Sequence, residues 1–198
     1  MADNQFIKYE YYHWGPYLYK TSLSDEVIKE IKKLCSKQST DYTENLVGLI
    51  KHENEVDVKK LFPIINPYFN SYAHGYYDYT GSILGNKIEL TQSWVNFMVK
   101  HESNPIHRHD NDLSFVIFLE VPKNLEKEYN EAKSKSKPGT LNFIYTFNNG
   151  EEFMNERAFF PVVGDMFIFP ASLNHYVNSF KSEGERISVS GNLKITNG

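Results

Sequence analysis

The stretch NPIHRHDNDLSFVIFLEVP, residues 104–122, joins two histidines one residue apart to an apolar run of strand type. In an extended chain, residues i and i+2 point to the same side, so His107 and His109 are spaced to reach one ion. A polar turn at the mouth of a strand accounts for such a pair equally well. The rest of the chain has to decide between the two.

From residue 88 onward the sequence is a succession of short aromatic and β-branched runs. They are IELTQSWVNFMVK, LSFVIFLEVP, TLNFIYTF, RAFFPVV, DMFIFP and RISVSGNLKI, separated by turn residues. Fourteen Tyr and fourteen Phe suit such strands, because aromatic side chains pack well on pleated surfaces. Regular short strands of this kind point to a sandwich or barrel of about eight strands. The Lys-rich interruption PKNLEKEYNEAKSKSKPGT (122–140) reads as a mobile surface insertion, with a lid over a site as the second reading.

Upstream the pattern is helical. Ser22 and Ser24 offer N-caps, Asp25 and Glu26 suit the positive end, and Val27, Ile28, Ile31 and Leu34 form an apolar stripe, which predicts a helix over 24–37. In VDVKKLFPIINPYFNSYAHGYY, apolar residues recur every three or four positions but Pro63 and Pro67 interrupt them. This predicts a helix starting near Pro67 or a kinked pair. No internal repeat or linker divides the chain. The expectation is a single domain, 1–198, with a helical support at 1–87 and a β core at 88–198.

Composition narrows the function classes. A chain of 198 residues suffices for one core that buries about 70 % of the unfolded surface. A net charge of −4 argues against bulk electrostatic binding of a long nucleic acid. The lone Cys35 excludes an internal disulfide framework and fits a reducing compartment. The start, MADNQFIKYEYYHWG, has no apolar core of a secretory signal, and no run approaches the roughly 20 apolar residues of a membrane span. A cytoplasmic location is expected.

Two further segments bear on His107 and His109. In GDMFIFPASLNHYV (164–177), Gly164-Asp165 makes a turn, Met166 to Phe169 form a buried strand, and Pro170 opens a short connection to His175. A lone histidine there is most often a hydrogen-bonded core residue, but two before one strand and a third later are harder to set aside. In GERISVSGNL (184–193), Arg186, Ser188, Ser190 and Asn192 share one strand face and Ile187, Val189 and Leu193 the other. The polar face is either the outside of an edge strand or the lining of a barrel. In the second case a buried guanidinium needs an anion, and its fork of donors fits a carboxylate. His13, His52, His74 and His101 lack partners at ligand spacing and read as surface or structural, with His101 the nearest exception.

These segments together resemble the iron(II)- and 2-oxoglutarate-dependent oxygenases, which are double-stranded β-helix (jelly-roll, cupin-like) proteins. SWVNF (93–97), HRHDNDLSFVIFLEVP (107–122), GDMFIFPASLNHYV and GERISVSGNL resemble in particular a branch of 2OG-Fe(II) oxygenases common among marine bacterial and phage sequences. The resemblance implies a mainly β fold with N-terminal helices, Fe(II) and 2-oxoglutarate as cofactors, and O2 as co-substrate. It also implies hydroxylation of a substrate C–H bond, with a peptide or protein side chain as the favoured class, and the host-cell cytoplasm as the location if a phage encodes the chain. His107 takes the first ligand position and His175 the distal one. Arg186 and Ser188 match the Arg-x-Ser element that holds the far carboxylate of 2-oxoglutarate. Asn96 faces the pocket, while Trp94 reads as core.

The middle ligand departs from the superfamily's usual His-x-Asp or His-x-Glu pattern. Either His109 completes a three-histidine site, or Asp110 or Asp112 bends back to the metal. Strand parity favours His109, because Asp110 faces away from His107 in an extended chain. Two other readings remain: a cupin-type metalloenzyme that uses no 2-oxoglutarate, and a metal-free jelly-roll binding protein. The direction of Arg186 separates the oxygenase from the first of these.

Overall fold

Leu113–Glu120 is apolar at nearly every position because both faces of the strand it forms are covered. The computed structural model describes residues 7–12, 15–85, 87–148 and 152–196, and His13 lies outside them. In chain order the elements are β1 (Tyr9–Tyr12), β2 (Leu18–Ser22), α1 (Asp25–Leu34), β3 (Glu53–Glu55), α2 (Val58–Thr80), β4 (Lys87–Met98), β5 (Asn104–His107) and β6 (Leu113–Glu120). They continue with α3 (Leu125–Glu131), β7 (Leu141–Asn148), β8 (Glu152–Phe159), β9 (Asp165–Pro170), β10 (Asn174–Val177) and β11 (Arg186–Thr196). A 3-10 turn lies at Thr43–Asn45. A seven-stranded sheet has the order β1-β2-β9-β6-β11-β4-β3 and a four-stranded sheet the order β5-β10-β7-β8, all pairs antiparallel. The eight strands expected after residue 88 are β4 to β11, in a double-sheet jelly roll.

Two cores follow from the period-2 alternation. Phe115, Ile117, Met166, Ile168, Val189 and Leu193 face α1 and α2 across the large sheet. Their neighbours in sequence, Val116, Phe118, Phe167 and Phe169, point the other way, between the two sheets. Each such side chain, when fully buried, contributes roughly 1.5–3 kcal/mol. In β4 the pairing with β11 skips Thr91, a bulge that resets the parity, so Leu90 joins Val95 and Phe97 on the helix side.

The N-terminal third departs from the helical expectation, since β1, β2 and β3 add three strands to the large sheet. All three are short, with β1 and β3 at the two edges and β2 just inside β1, and β3 reads Glu-Asn-Glu, which carries no apolar alternation to announce it. Helix α1 starts as expected, with Ser24 accepting from the Val27 N–H, but it stops at Leu34 rather than 37. There Ser36 takes the backbone into a turn, its Oγ accepting from Gln38 N and its carbonyl from Ser39 N.

Helix α2 is one helix of 23 residues, not a helix from Pro67 or a kinked pair. Each interior proline costs about 3 kcal/mol. Burial of Leu61, Ile65, Tyr68, Phe69 and Tyr72 against the sheet offsets that cost. Residues 122–140 also differ from the expected mobile loop. They contain α3, whose Leu125 is fully buried, and Glu128 accepts from the N–H groups of Lys181 and Ser182. The Lys137 ammonium donates to the carbonyls of Tyr129 and Ala132. Among the described residues, no helix is long and apolar enough to cross a membrane.

Candidate metal and cofactor site

Three histidines meet at the end of the small sheet. His107 closes β5 and lies directly opposite His175 on β10. The strand ends at His107, but the backbone N–H of His109 donates to Ala171 O at 2.9 Å, which keeps the chain alongside the β9–β10 connection. The ring centroids are 4.1 Å apart for His107 and His175, 5.0 Å for His107 and His109, and 5.2 Å for His109 and His175. One ring nitrogen from each lies within 4.8 Å of the others, a spacing that suits a shared ion.

The protonation states suit it as well. Nδ1 of His107 donates to Pro105 O at 2.7 Å, and Nδ1 of His175 donates to Leu173 O at 2.9 Å. Each bond leaves Nε2 as the free lone pair, the arrangement in which outer hydrogen bonds orient metal-binding imidazoles. Burial pushes the pKa of all three rings down, to about 4 for His109 and well below the ordinary value for His175. The mutual proximity of the rings adds to the depression at His109 and His175. All three are therefore neutral at pH 7.

Neither aspartate joins them. Asp110 is exposed at the rim, and the Asp112 carboxylate accepts from Ile195 N at 2.7 Å, tying the loop to the end of β11. His52, His74 and His101 are exposed and apart from the cluster; His101 occupies a turn with φ 69°.

On the opposite sheet, Arg186 opens β11 between β4 and β6, so the polar face of this strand lines the interior and is not an outer edge. Its side chain is buried at 2 % exposure, with the guanidinium 4.7 Å from the Phe118 ring. Its Nε and Nη2 have no hydrogen-bond partner among the described residues, and burial alone pushes its pKa down to about 9. Ser188 lies two residues along on the same face, opposite Asn96, whose Nδ2 donates to Ser188 Oγ at 3.5 Å.

One cavity runs from Arg186, Ser188 and Asn96 to the three histidines, and an outer cleft of about 390 Å³ continues from His107 and His109 to the surface. Trp94, read as core in the sequence, is buried but lines both spaces, 5.7 Å from the His109 ring and stacked on Tyr42. Asn104 and Glu53 also line the cleft and were not singled out from the sequence. Asn104 begins the segment that carries His107 and His109, and no local pattern around it or around Glu53 marks either residue as facing a cleft.

The family model described as "Putative 2OG-Fe(II) oxygenase" matches residues 92–192, just over half of the chain. The chain belongs to this family. The 2OG-Fe(II) oxygenase is also similar in fold to a prolyl-4-hydroxylase of Pseudomonas putida, at 14 % identity over 90 % of this chain and 92 % of that one, TM-score 0.56. It is similar to the viral collagen prolyl hydroxylase of Paramecium Bursaria Chlorella virus-1, solved with 2-oxoglutarate, at 14 % identity over 92 % and 98 %, TM-score 0.55. It is similar, too, to the α-ketoglutarate-dependent carbocyclase SnoK of nogalamycin biosynthesis, at 10 % identity over 90 % and 79 %, TM-score 0.58. No curated protein sequence matches. As a member of the family this oxygenase uses Fe(II), 2-oxoglutarate and O2. The residues present fit those groups, with three neutral imidazoles for a divalent ion and an unpartnered buried guanidinium for a carboxylate.

Proposed function

We propose that His107, His109 and His175 hold the iron, that Arg186 and Ser188 receive the carboxylate of 2-oxoglutarate remote from it with Asn96 beside them, and that the oxygenase hydroxylates a peptide or protein side chain. The observation that carries the reading is Arg186, a buried cation with free donors at the end of a cavity whose other end is the histidine cluster. Leaving such donors unmade is expensive, and a carboxylate satisfies them bidentately. The same observation disfavours a cupin-type enzyme without 2-oxoglutarate, in which Arg186 has no anion to meet.

The chemistry supplied on loading is oxidative decarboxylation of 2-oxoglutarate to succinate and carbon dioxide, coupled to oxygen insertion into a substrate C–H bond. The chain's own contribution is placement. The Pro105 and Leu173 carbonyls fix the rings of His107 and His175. Three neutral imidazoles leave a divalent ion its full charge, which together with Arg186 favours a dianionic cosubstrate. Ser188 presents a hydroxyl beside the guanidinium, and Phe118 covers the face of Arg186 and keeps water from it. The outer cleft reaches His107 and His109 from the surface and leaves room for a side chain of a larger substrate. Prolyl hydroxylases of similar fold, one of them solved with a peptide fragment of hypoxia inducible factor, support that substrate class.

The test is calorimetric titration of the Mn(II)-loaded protein with 2-oxoglutarate. Arg186→Ala is expected to weaken 2-oxoglutarate by about 100-fold or more while leaving Mn(II) affinity within roughly threefold. Equal loss of both, or loss of neither, contradicts the assigned role.

A further inference from the structure

Glu53 stands at the boundary between the cofactor cavity and the outer cleft, and the reaction described above does not use it. It pairs with Asn96 across β3 and β4, and Asn96 pairs with Ser188 across β4 and β11. Directly paired residues share a sheet face, so Glu53, Asn96 and Ser188 form one row. The row leads from the carboxylate pocket toward the cleft that Glu53 lines.

The residue is 1 % exposed, and neither carboxylate oxygen has a hydrogen-bond partner among the described residues. No ion pair among the described residues includes it. The neighbouring acids are already engaged. Glu102 accepts from Lys51 N and Val99 N, and Asp41 accepts from Thr43 N. Gly48 packs so closely that a Cβ there would come within 2.7 Å of Glu53 Oε1, so the glycine leaves the carboxylate its place. Burial first, then the charges of Glu102 and Asp41, push the Glu53 carboxyl up to about 7.

Two further unpartnered acceptors lie nearby, and the unpartnered donors of Arg186 belong to the inner cavity. Asn96 lines the inner cavity and Asn104 both spaces, and the Oδ1 of neither receives a hydrogen bond among the described residues. In the outer cleft, which Arg186 does not line, the unpartnered acceptors of Glu53 and Asn104 complement a ligand that brings donors. The stacked rings of Tyr42 and Trp94 line the same cleft, where they suit the stem and charge of a cation. Arg108 and Asp110 lie at its exposed rim.

We propose that Glu53 is the specificity-determining acceptor of this cleft and receives the ammonium or guanidinium group of the substrate, a basic amino acid either free or within a peptide. The inference rests on the reading of the outer cleft as the substrate site.

The test uses the full chain loaded with Mn(II) and N-oxalylglycine for binding, and with Fe(II) and 2-oxoglutarate for succinate formation, at pH 8. The probes are free L-arginine and L-lysine, the same residues in end-capped pentapeptides, and the neutral counterparts citrulline and norleucine in both settings. The cationic probes are expected to bind and to raise succinate formation at least tenfold more effectively than their neutral counterparts, with free and capped forms identifying the source. Glu53→Gln is expected to raise the KM of the preferred cation about 10- to 100-fold and to erase its advantage over the neutral counterpart, with kcat within about threefold. If Glu53→Gln does not fold, Glu53→Asp keeps the charge and withdraws it, and is expected to retain the cation preference at weaker affinity. Equal responses to cationic and neutral probes, no response to any cation, or an unchanged KM in the variants overturns the proposal. A wild-type protein that binds no 2-oxoglutarate at all fails the underlying reading instead, and the Mn(II) titration separates the two outcomes.

Discussion

Replacing Glu53 by glutamine is expected to stabilise the cofactor-free protein above neutral pH, and the size of the gain follows from the structure. Glu53 is buried with two unpartnered oxygens beside the acids Glu102 and Asp41, which together push its carboxyl from the ordinary 4.5 up to about 7. A carboxyl whose pKa is raised on folding supports the fold fully below its unfolded pKa and loses that support as pH rises through the folded value. At about 1.4 kcal/mol per pH unit, the displacement amounts to roughly 3 kcal/mol once the pH exceeds the folded value. Glutamine cannot ionise, so the variant and the wild type should match near pH 4 and diverge between pH 4.5 and 7. Above pH 7.5 the variant should be the more stable, by several degrees in Tm for a chain of this length. The histidine cluster titrates in the same range with the opposite sign, but it is common to both proteins and cancels in the difference. Parallel urea titrations at pH 4.5, 6 and 8 measure the divergence. A variant destabilised equally at all three would refute the reasoning, because it would mean that Glu53 holds the fold through a partner.

Two other outcomes follow from the geometry. Gly191 on β11 lies so close to its neighbours that a Cβ would come within 2.5 Å of Gln92 O and 2.6 Å of the Phe115 ring; Gly191→Ala is expected to cost about 1–3 kcal/mol in urea unfolding, since a backbone carbonyl cannot move aside, and an unchanged midpoint would contradict this. Because burial lowers the pKa of His107, His109 and His175, Mn(II) binding at pH 6.5 should release clearly fewer protons than the about 1.5 that three ordinary histidines would release. Calorimetry in buffers of different ionisation enthalpy counts them, and a release near 1.5 would contradict the burial argument.

What the sequence disclosed depended on how each residue acts. The strands of the β core were legible because burial on both faces writes continuous apolar runs such as LSFVIFLEVP. Helix α1 was legible because Ser24 caps it by a local hydrogen bond. The unity of α2 was not, since the tertiary burial that overrides Pro63 and Pro67 lies in contacts remote in sequence. Strand β3 was hidden for a related reason, because an edge strand of three polar residues is specified by its neighbour β4. The histidines were conspicuous by type and spacing, and Arg186 by its place in an alternating strand. Trp94 and Glu53 reach the cleft only because β4 and β3 pair in this register, which no local pattern around either residue records.

The most direct test of the central claim is a crystal structure of the protein grown anaerobically with Fe(II), or with Mn(II), and N-oxalylglycine. The account predicts one metal ion bound by His107, His109 and His175, with the remote carboxylate of N-oxalylglycine on Arg186 and Ser188. A metal bound by Asp110 in place of His109, or an Arg186 guanidinium that meets no carboxylate, would contradict it.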